Sequence, residues 1–406
     1  MKRHHPPVVH GCASRDRWRT LRARVLPGAA SAVLLGAAFS GCALTRGVWQ
    51  GAGKAGAPVR APFVLGADIS ALDAPWRGIS RVYRENGVPS DELTILRNHG
   101  WTAFRVRVFV SPVRNAPNNT LEAAIPLARR IKAAGATFLL CIHLSDTWAD
   151  PQHQEIPVAW RGLDFDGLER KVESYTYGVI KQFKDAGAMP DWVQVGNEIT
   201  RGTLWPQAQV RVPGSSQYDP PEPYDDATQW SHLARVLKAG IRGVERAAGD
   251  TPPRIAIHID KGASWTVTRW FFDHLDSAHV RYDIIAESFY PEWGHGTLDQ
   301  VWENMNRCAE RFHRDFLVVE TGYGRSRIAG NTCMLWPETA EGRLQYMADI
   351  VNTVRKAPRG LGVMYWAPEW EAWYADGSPG PVVSVMDDLE TLRSRPASHA
   401  PKAVNP

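Results

Sequence analysis

Two glutamates that end apolar runs are the residues in this sequence best suited to chemistry. Glu198 follows the run 192–195, and Glu320 ends the run 316–320. Two carboxyls flanking one glycosidic bond can divide the work of hydrolysis. One with a raised pKa protonates the leaving oxygen, while the other stays ionised and attacks the anomeric carbon. Taken singly, each glutamate is equally well interpreted as a solvated strand end. The pair is meaningful only on a scaffold that brings these two distant positions together.

Eight short apolar runs alternate with longer amphipathic segments and predict that scaffold. The runs lie at 63–69, 103–109, 137–143, 192–195, 254–259, 283–288, 316–320 and 362–366, and helices are expected near 91–98, 121–134, 165–187, 226–248, 266–276, 298–313 and 338–356. Runs rich in Val, Ile, Leu and Phe are typical of parallel strands buried on both faces. The alternation predicts a (β/α)8 TIM barrel with a single catalytic domain over residues 62–396. No Gly-x-Gly-x-x-Gly follows the first run, which argues against a dinucleotide-binding sheet.

Polar residues at the ends of these runs define a candidate surface. They are Asp68, Ser70, Arg105, Arg107, His143, Asp146, Asn197, Glu198, His258, Asp260, Ser288, Tyr290, Glu320, Trp366 and Trp370. Active sites of such barrels lie at the carboxyl ends of the strands. Because the fourth and seventh strands face each other across an eight-stranded barrel, Glu198 and Glu320 are expected to meet over its centre.

Seven segments, in order, resemble glycoside hydrolase family 53, the endo-β-1,4-galactanases. They are FRVRVFVSP, CIHLSDTWADPQHQEIPVAW, VQVGNEITRGTLWP, IHIDKG, ESFYPEW, VVETGYG and YWAPEW, and together they span nearly the whole region from residue 63 to 370. The resemblance implies that Glu198 is the acid/base and Glu320 the nucleophile of a retaining enzyme. It implies no cofactor and a polysaccharide substrate of the arabinogalactan type.

The same resemblance implies roles for the surrounding residues. Arg107 would hydrogen-bond the nucleophile, and Asn197 would hold the sugar 2-hydroxyl. His143 and Tyr290 would lie beside the nucleophile or the sugar at the cleavage site, and Trp366 would stack on that sugar. Further substrate contacts are expected from Asp146, Trp148, Trp205, His258, Asp260 and Ser288.

Several of these residues have a second interpretation. Arg107 would equally well neutralise buried acids, His258 and Asp260 would form a buried hydrogen-bonded pair, and Trp148 and Trp205 would belong to the loop core. His143, Asp146, Asp150 and His153 have spacings that a metal could use, but no open three-ligand pattern is evident, and we predict no metal site. The departures from the family pattern, such as Lys261, lie where sugar-binding subsites are built. Two alternatives therefore stay open: a related β-glycan hydrolase, and a glycan-binding lipoprotein without activity.

The N-terminus resembles an export signal. A basic segment is followed by the apolar run 25–39 and by Ser-Gly-Cys ending at Cys42, which is similar to the lipobox of bacterial lipoproteins. Residues 1–42 are predicted to be the signal peptide, with lipidation at Cys42 or plain secretion as the alternative. A flexible tether is predicted over 43–61 and a disordered tail over 397–406. The protein is then exported, as an envelope lipoprotein or a secreted protein, and meets a membrane only through this anchor.

Charge and cysteine usage limit the remaining partners. Residues 1–42 carry seven Lys or Arg and one acid, so removing them takes the formal net charge from +4 to −2. No basic stripe is left to bind nucleic acid. Cys141, Cys308 and Cys333 remain, and they are too few for a disulfide framework; whether Cys308 and Cys333 pair stays open. We expect a monomer.

Overall fold

The protein forms a closed barrel of eight parallel strands. The structure is a computed structural model that describes residues 62–72, 82–112, 119–210, 227–324 and 331–387. The strands are β1 (Val64–Asp68), β2 (Ala103–Val108), β3 (Thr137–Ile142), β4 (Trp192–Val195), β5 (Arg254–Ile259), β6 (Ile284–Phe289), β7 (Asp315–Thr321) and β8 (Gly360–Trp366). Each pairs with its neighbours in sequence, and β8 pairs with β1 to close the barrel. The predicted (β/α)8 barrel is confirmed.

Seven helices cover the barrel in the described ranges. They are α1 (Glu92–Asn98), α2 (Leu121–Ala133), α3 (Phe165–Asp185), α4 (Ala227–Ala248), α5 (Trp265–Ser277), α6 (Leu298–Phe312) and α7 (Ala340–Lys356). Six of them begin at a side chain that accepts a hydrogen bond from a backbone amide of the first turn, namely Asp91, Thr120, Asp164, Ser264, Thr297 and Thr339. Such caps satisfy amide groups that have no partner within the helix.

The strand pattern divides the side chains between two environments. Phe104, Val106 and Val108 of β2 are buried in the apolar layer between strands and helices. Arg105 and Arg107 alternate with them and contact residues of other strands inside the barrel. This period of two is the ordinary consequence of strand geometry. The inward-facing residues of the strands thus contribute to the polar site.

Within the described ranges, the loops contain four short 3-10 helices and two small hairpins. The 3-10 helices are Val158–Trp160, Ile199–Arg201, Pro291–Trp293 and Pro368–Trp370. Three of these directly follow the ends of β4, β6 and β8, so the chain turns sharply at the carboxyl rim. The hairpins pair Arg84–Glu85 with Val88–Pro89 and Gly202–Thr203 with Ala208–Gln209. No helix within the described ranges is long and apolar enough to cross a membrane.

The structure bears on the predicted cysteine pairing but not on the predicted terminal segments. The signal peptide with Cys42, the tether over 43–61 and the tail over 397–406 lie outside the described residues. Cys308 is a buried free thiol, and its Sγ faces Asn304 Oδ1 at 3.8 Å. It does not pair with Cys333.

Helices α3 and α4 pack closely through a glycine, and this contact is testable. A methyl group added at Gly243 of α4 would overlap Thr176 and the Glu173 carbonyl of α3, whereas one added at Gly178 of α3 would meet no atom within 4 Å. We expect Gly243→Ala to lower the free energy of unfolding by about 1–3 kcal/mol, because overpacking forces the helices apart. Gly178→Ala should raise it by about 0.5–1 kcal/mol through helix propensity. Denaturant unfolding curves of both variants would measure this, and equal shifts would contradict the close packing.

Candidate active site

Glu198 stands at a sharp turn that follows β4. Gly196 has φ 81°, and Glu198 itself is left-handed, with φ 48° and ψ 47°. For a residue other than glycine this conformation costs about 1–3 kcal/mol and persists only when its surroundings impose it. The backbone N–H of Glu198 donates to His258 Nδ1 at 3.4 Å, which is one such restraint. The turn places the carboxyl over the barrel mouth.

The Glu198 carboxyl is buried and has negatively charged neighbours. Burial is the main cause that raises its pKa well above the usual range, and the charges of Glu320 and Asp260 add to it. Ser288 Oγ donates a hydrogen bond of 2.6 Å to Oε1 and opposes the rise. The net shift favours the protonated form of Glu198, so this residue is suited to act as a proton donor.

Glu320, near the end of β7, has the opposite surroundings. Arg105 Nη1 lies 2.7 Å from its Oε1, and the Tyr290 hydroxyl donates to its Oε2 at 3.2 Å. Only 6% of Glu320 is exposed. A guanidinium and a phenol both donate to this carboxyl, and both contacts are strongest when it is ionised. The Glu320 carboxyl is therefore bound by two donors, and its charge acts on the buried carboxyl of Glu198.

Arg105 is the partner of Glu320, which corrects the prediction for Arg107. The Arg105 guanidinium is fully buried and also contacts Asp68 Oδ2 at 2.9 Å and Asn197 Oδ1 at 2.6 Å. Cys141 Sγ accepts a weaker bond from it at 3.3 Å, and burial raises the pKa of this thiol to about 12.

Arg107 lies one inward position further along β2. Its Nε donates to Ser70 Oγ at 3.1 Å and lies 3.4 Å from Asp68 Oδ2, and its guanidinium is 4.4 Å from the centre of the Trp148 ring. Two residues along a strand differ by about 6.6 Å in height. Arg105 therefore reaches the carboxylate from below, while Arg107 lines the cleft and neutralises Asp68, as the second interpretation expected.

Asn197 is held from both ends of its amide. Its Nδ2 donates to the Ala149 carbonyl at 2.8 Å, and its Oδ1 accepts from Arg105 Nη2 and from Gln194 Nε2 at 3.0 Å. One Nδ2 hydrogen is left over after these bonds. Asn197 thus joins Arg105 to the turn that carries Glu198, in addition to any contact with a sugar.

His143 is a buried, neutral imidazole at the end of β3. Its Nδ1 accepts from the Ala149 amide at 3.1 Å, so its proton is on Nε2. Burial lowers the pKa of His143 well below its usual value, and the charges of Arg105 and Arg107 lower it further. Nε2 makes no hydrogen bond among the described residues, and it is thus a buried donor available to a ligand.

Trp148 and Trp366 line a shallow cleft at the barrel mouth. Their ring centres are 6.2 Å apart at 68°, and Arg107, Glu369 and Trp370 contribute to the same lining. Trp366 also packs edge-on against Trp370, with ring centres 4.8 Å apart. Partly exposed indoles at a barrel mouth offer flat apolar faces, to which a pyranose ring is complementary.

The remaining predicted contacts are occupied by protein groups. Asp146 accepts backbone amides from Ser111 at 3.0 Å and Val158 at 2.8 Å, so its two oxygens hold loops together. Trp205 donates through Nε1 to the Arg201 carbonyl at 2.8 Å, within the loop after β4. Asp146 therefore shapes the cleft through its loops rather than by direct contact.

Asp260 and His258 do not form a pair. Asp260 binds the Thr200 hydroxyl and Lys261 Nζ, the latter at 2.8 Å, whereas His258 Nε2 faces Ser288 Oγ at 2.8 Å. Burial raises the pKa of Asp260, but the charges of Lys261 and His295 and the hydrogen bonds from Lys261 and Thr200 together outweigh it, and the net shift is downward. His258 stays neutral, because burial and Arg105 lower its pKa well below the usual value.

Two residues outside the predicted surface, Gln194 and Cys141, belong to the site, and Arg105 has a role that the sequence did not assign to it. Arg105 binds Glu320, and Gln194 and Cys141 support Asn197 from β4 and β3. Arg105 stood among the strand-end residues, and its charge inside an apolar strand was the available signal. Gln194 carried the same kind of signal, as an amide inside the run 192–195. Among the described residues no group of His, Cys, Asp and Glu is suited to hold a metal ion.

Comparison with known proteins agrees with this geometry. Residues 64–391 match Glycosyl hydrolase family 53. The chain belongs to this family. It is 32% identical over 316 residues to the arabinogalactan endo-beta-1,4-galactanase of Humicola insolens, a match covering 75% of this chain and 89% of the relative. Membership makes the protein an O-glycosyl hydrolase.

Solved structures of family 53 proteins share the fold. One of two fungal beta-1,4-galactanases aligns with a TM-score of 0.69 and 30% identity, covering 80% of this chain and 98% of the other. The family 53 catalytic domain of Ignisphaera aggregans aligns with a TM-score of 0.70 and 28% identity, covering 82% and 98%.

The two arginines of β2 are distinguishable by substitution with lysine. Lysine keeps the charge but not the planar fork that Arg105 uses to reach four groups at once. We expect Arg105→Lys to lower the free energy of unfolding by about 2–3 kcal/mol and turnover by at least about 100-fold, because buried partners lose their donors. Arg107→Lys is the matched control and should have the smaller effect on both. A larger loss of turnover in Arg107→Lys would restore Arg107 as the partner of the nucleophile.

Proposed function

We propose that this family 53 hydrolase cleaves β-1,4-galactan internally, with retention of anomeric configuration, by double displacement. The observation that carries the proposal is the contrast between its two glutamates. The pKa of buried Glu198 is raised well above its usual range, whereas Glu320 is bound by Arg105 and Tyr290. This is the division of labour that a general acid and a nucleophile require.

The first displacement uses both carboxyls at once. Glu320 attacks the anomeric carbon while Glu198 gives its proton to the departing oxygen, leaving a glycosyl ester on Glu320. In the second displacement Glu198, now ionised, removes a proton from water, and the water oxygen replaces Glu320 at the same carbon. Glu198 regains its proton and Glu320 its charge, so the cycle closes without any other reagent.

Neighbouring residues would bind the sugar at the cleavage point. The spare Nδ2 hydrogen of Asn197 suits the 2-hydroxyl, a contact that strengthens as positive charge develops on the ring. The Nε2–H of His143 is a second buried donor, and Trp366 offers a stacking face. Burial of these groups raises the value of each hydrogen bond, because water does not compete.

Two observations favour galactan as the substrate. Two relatives at 32% and 30% identity carry the name arabinogalactan endo-beta-1,4-galactanase, and the matches cover 75% and 81% of this chain. The residues that hold Glu198 and Glu320 lie within the aligned region. Departures such as Lys261 and Ala367 occur in the surrounding subsites, so a related β-glycan is the second candidate substrate.

Amide substitutions separate the two catalytic roles. Glu320→Gln should abolish hydrolysis of every substrate, because an amide does not form the glycosyl ester. Glu198→Gln should lower galactan hydrolysis by about 10²–10⁴-fold, yet spare the first displacement of an aryl β-1,4-galactobioside, whose phenolate leaves without protonation. Single-turnover and steady-state rates on both substrates would measure this.

The control for these variants is Glu287→Gln, a buried carboxyl on the helix-facing side of β6. It should retain turnover on both substrates. NMR of the first product formed from galactan should show the β anomer. Full activity in Glu320→Gln, or an α-anomeric first product, would overturn the mechanism; binding of galactan without any cleavage by the unmodified protein would favour the glycan-binding alternative.

We also propose that the protein is exported and reaches the membrane only through a lipid on Cys42. The order of basic, apolar and small residues before Cys42 supports this, as it is the pattern on which lipoprotein processing acts. The catalytic domain then works outside the cytoplasm as a monomer on a polymer too large to be imported.

Removing the acylated thiol tests the anchor. Full-length protein expressed in a bacterial host should enter the detergent phase on Triton X-114 partition, whereas Cys42→Ala should remain in the aqueous phase. Cys308→Ala serves as the control, since this buried thiol is remote from the signal. Aqueous partition of both the unmodified protein and Cys42→Ala would mean secretion without lipid.

A further inference from the structure

A line of buried hydrogen bonds runs behind Glu198 along the barrel rim. Ser288 Oγ lies 2.6 Å from Glu198 Oε1, and His258 Nε2 lies 2.8 Å from Ser288 Oγ. Ser288 and His258 are both fully buried and come from the neighbouring strands β6 and β5. Their predicted role was contact with substrate, but their polar atoms are directed at Glu198 and at each other.

Two N–H groups determine the direction of the protons along this line. The Glu198 backbone N–H and Gln194 Nε2 lie 3.4 and 3.1 Å from His258 Nδ1, and because both are donors we assign this nitrogen as an acceptor. Asn197 Oδ1 is also 3.1 Å from Nδ1, and it accepts from Arg105 and Gln194 instead. The His258 ring is neutral and carries a single proton, which must therefore be on Nε2. Nε2–H then donates to Ser288 Oγ, and the Ser288 hydroxyl has its own hydrogen left to donate to Glu198 Oε1.

A carboxyl oxygen that accepts from Ser288 in this geometry is not the one that carries the proton. In the protonated form of Glu198 the hydrogen is consequently on Oε2. Both forms of Glu198 accept from Ser288, so the line holds the carboxyl in one orientation throughout the reaction. The Glu198 turn itself is held by the same imidazole that orients Ser288, and side chain and backbone are thereby restrained together.

We propose that Ser288 and His258 are positioning residues for Glu198, occupying Oε1 so that Oε2 alone delivers and recovers the proton. This inference rests on the proposed function. In the first displacement the proton passes from Oε2 to the leaving oxygen as the glycosidic bond breaks. In the second it passes from water to Oε2 as the ester to Glu320 breaks. Ser288 and His258 keep their own protons in both steps.

The charged groups around Glu198 determine what loss of the Ser288 bond does to its titration. Glu320 from β7, Asp260 after β5 and Asp150 after β3 all raise the pKa of Glu198, and burial adds the largest contribution. Lys261 offsets part of the Asp260 charge. The Ser288 hydrogen bond acts in the opposite direction, because it favours the ionised carboxyl. Without Ser288, only the upward influences remain.

Ser288→Ala tests the proposal with little risk to folding, since it removes one oxygen atom. We expect kcat/KM on galactan to fall by about 10–100-fold, the effect of losing a hydrogen bond to a charged group. The rate of the first displacement on an aryl β-1,4-galactobioside should change by less than about threefold, because that leaving group needs no acid. The alkaline limb of kcat/KM on galactan should move to higher pH as the pKa of Glu198 rises.

Thr268→Val is the matched control. It also deletes a buried hydroxyl that donates to a glutamate of β6, in this case Glu287 at 2.9 Å on the helix-facing side. Its stability should fall, while its pH profile and the ratio of rates on the two substrates stay as in the unmodified protein. Ser288→Cys, which restores a weak donor of similar size, should recover part of the galactan rate.

Each outcome has a distinct meaning. An unmoved alkaline limb in Ser288→Ala, or an equal loss on both substrates, would reduce Ser288 to a packing role and overturn the proposal. The unmodified protein has to hydrolyse galactan for this comparison. Its failure to do so, with Glu198→Gln and Glu320→Gln equally inactive, would instead refute the proposed function.

Discussion

The buried guanidinium of Arg105 is the interaction on which the rest of the site depends. It joins Asp68 of β1, Cys141 of β3 and Glu320 of β7, and it reaches Asn197 beyond β4. A charge without solvent is tolerated only when its partners are in place, and loss of one partner leaves another charge uncompensated. The barrel core therefore enforces the position of Glu320.

The contrast between the two glutamates is a matter of neighbours rather than of residue type. Glu320 contacts a guanidinium and a phenol, whereas Glu198 is buried, lies near acidic residues and accepts a hydrogen bond from one hydroxyl. Different surroundings of like groups are what assigns an acid and a nucleophile in a glycosidase. Arg105 also links the two, because Asn197 connects it to the turn that carries Glu198.

The comparison of sequence and structure separates two kinds of prediction. All eight strands and seven helices could be located, because hydrophobic periodicity reports burial directly. The height of a side chain inside the barrel could not be predicted in this way. For this reason the contact with Glu320 was assigned to Arg107 rather than to Arg105. Both point inward from β2, and only the height of Glu320 on β7 decides which of them reaches it. Asp146 was likewise placed correctly at a strand end, but its oxygens are taken by amides of distant loops.

The sequence by itself determined the barrel, its carboxyl rim and the two glutamates on opposite strands, since periodicity, strand order and motif content are local properties of the chain. Only the tertiary structure decided which neighbours each carboxyl has. Hydrogen bonds such as that from Ser288 to Glu198 join residues 90 positions apart, with distances that depend on strand register and on the heights of side chains. Proton location and charge follow from those distances, and so the chemistry of the site is a property of the folded barrel.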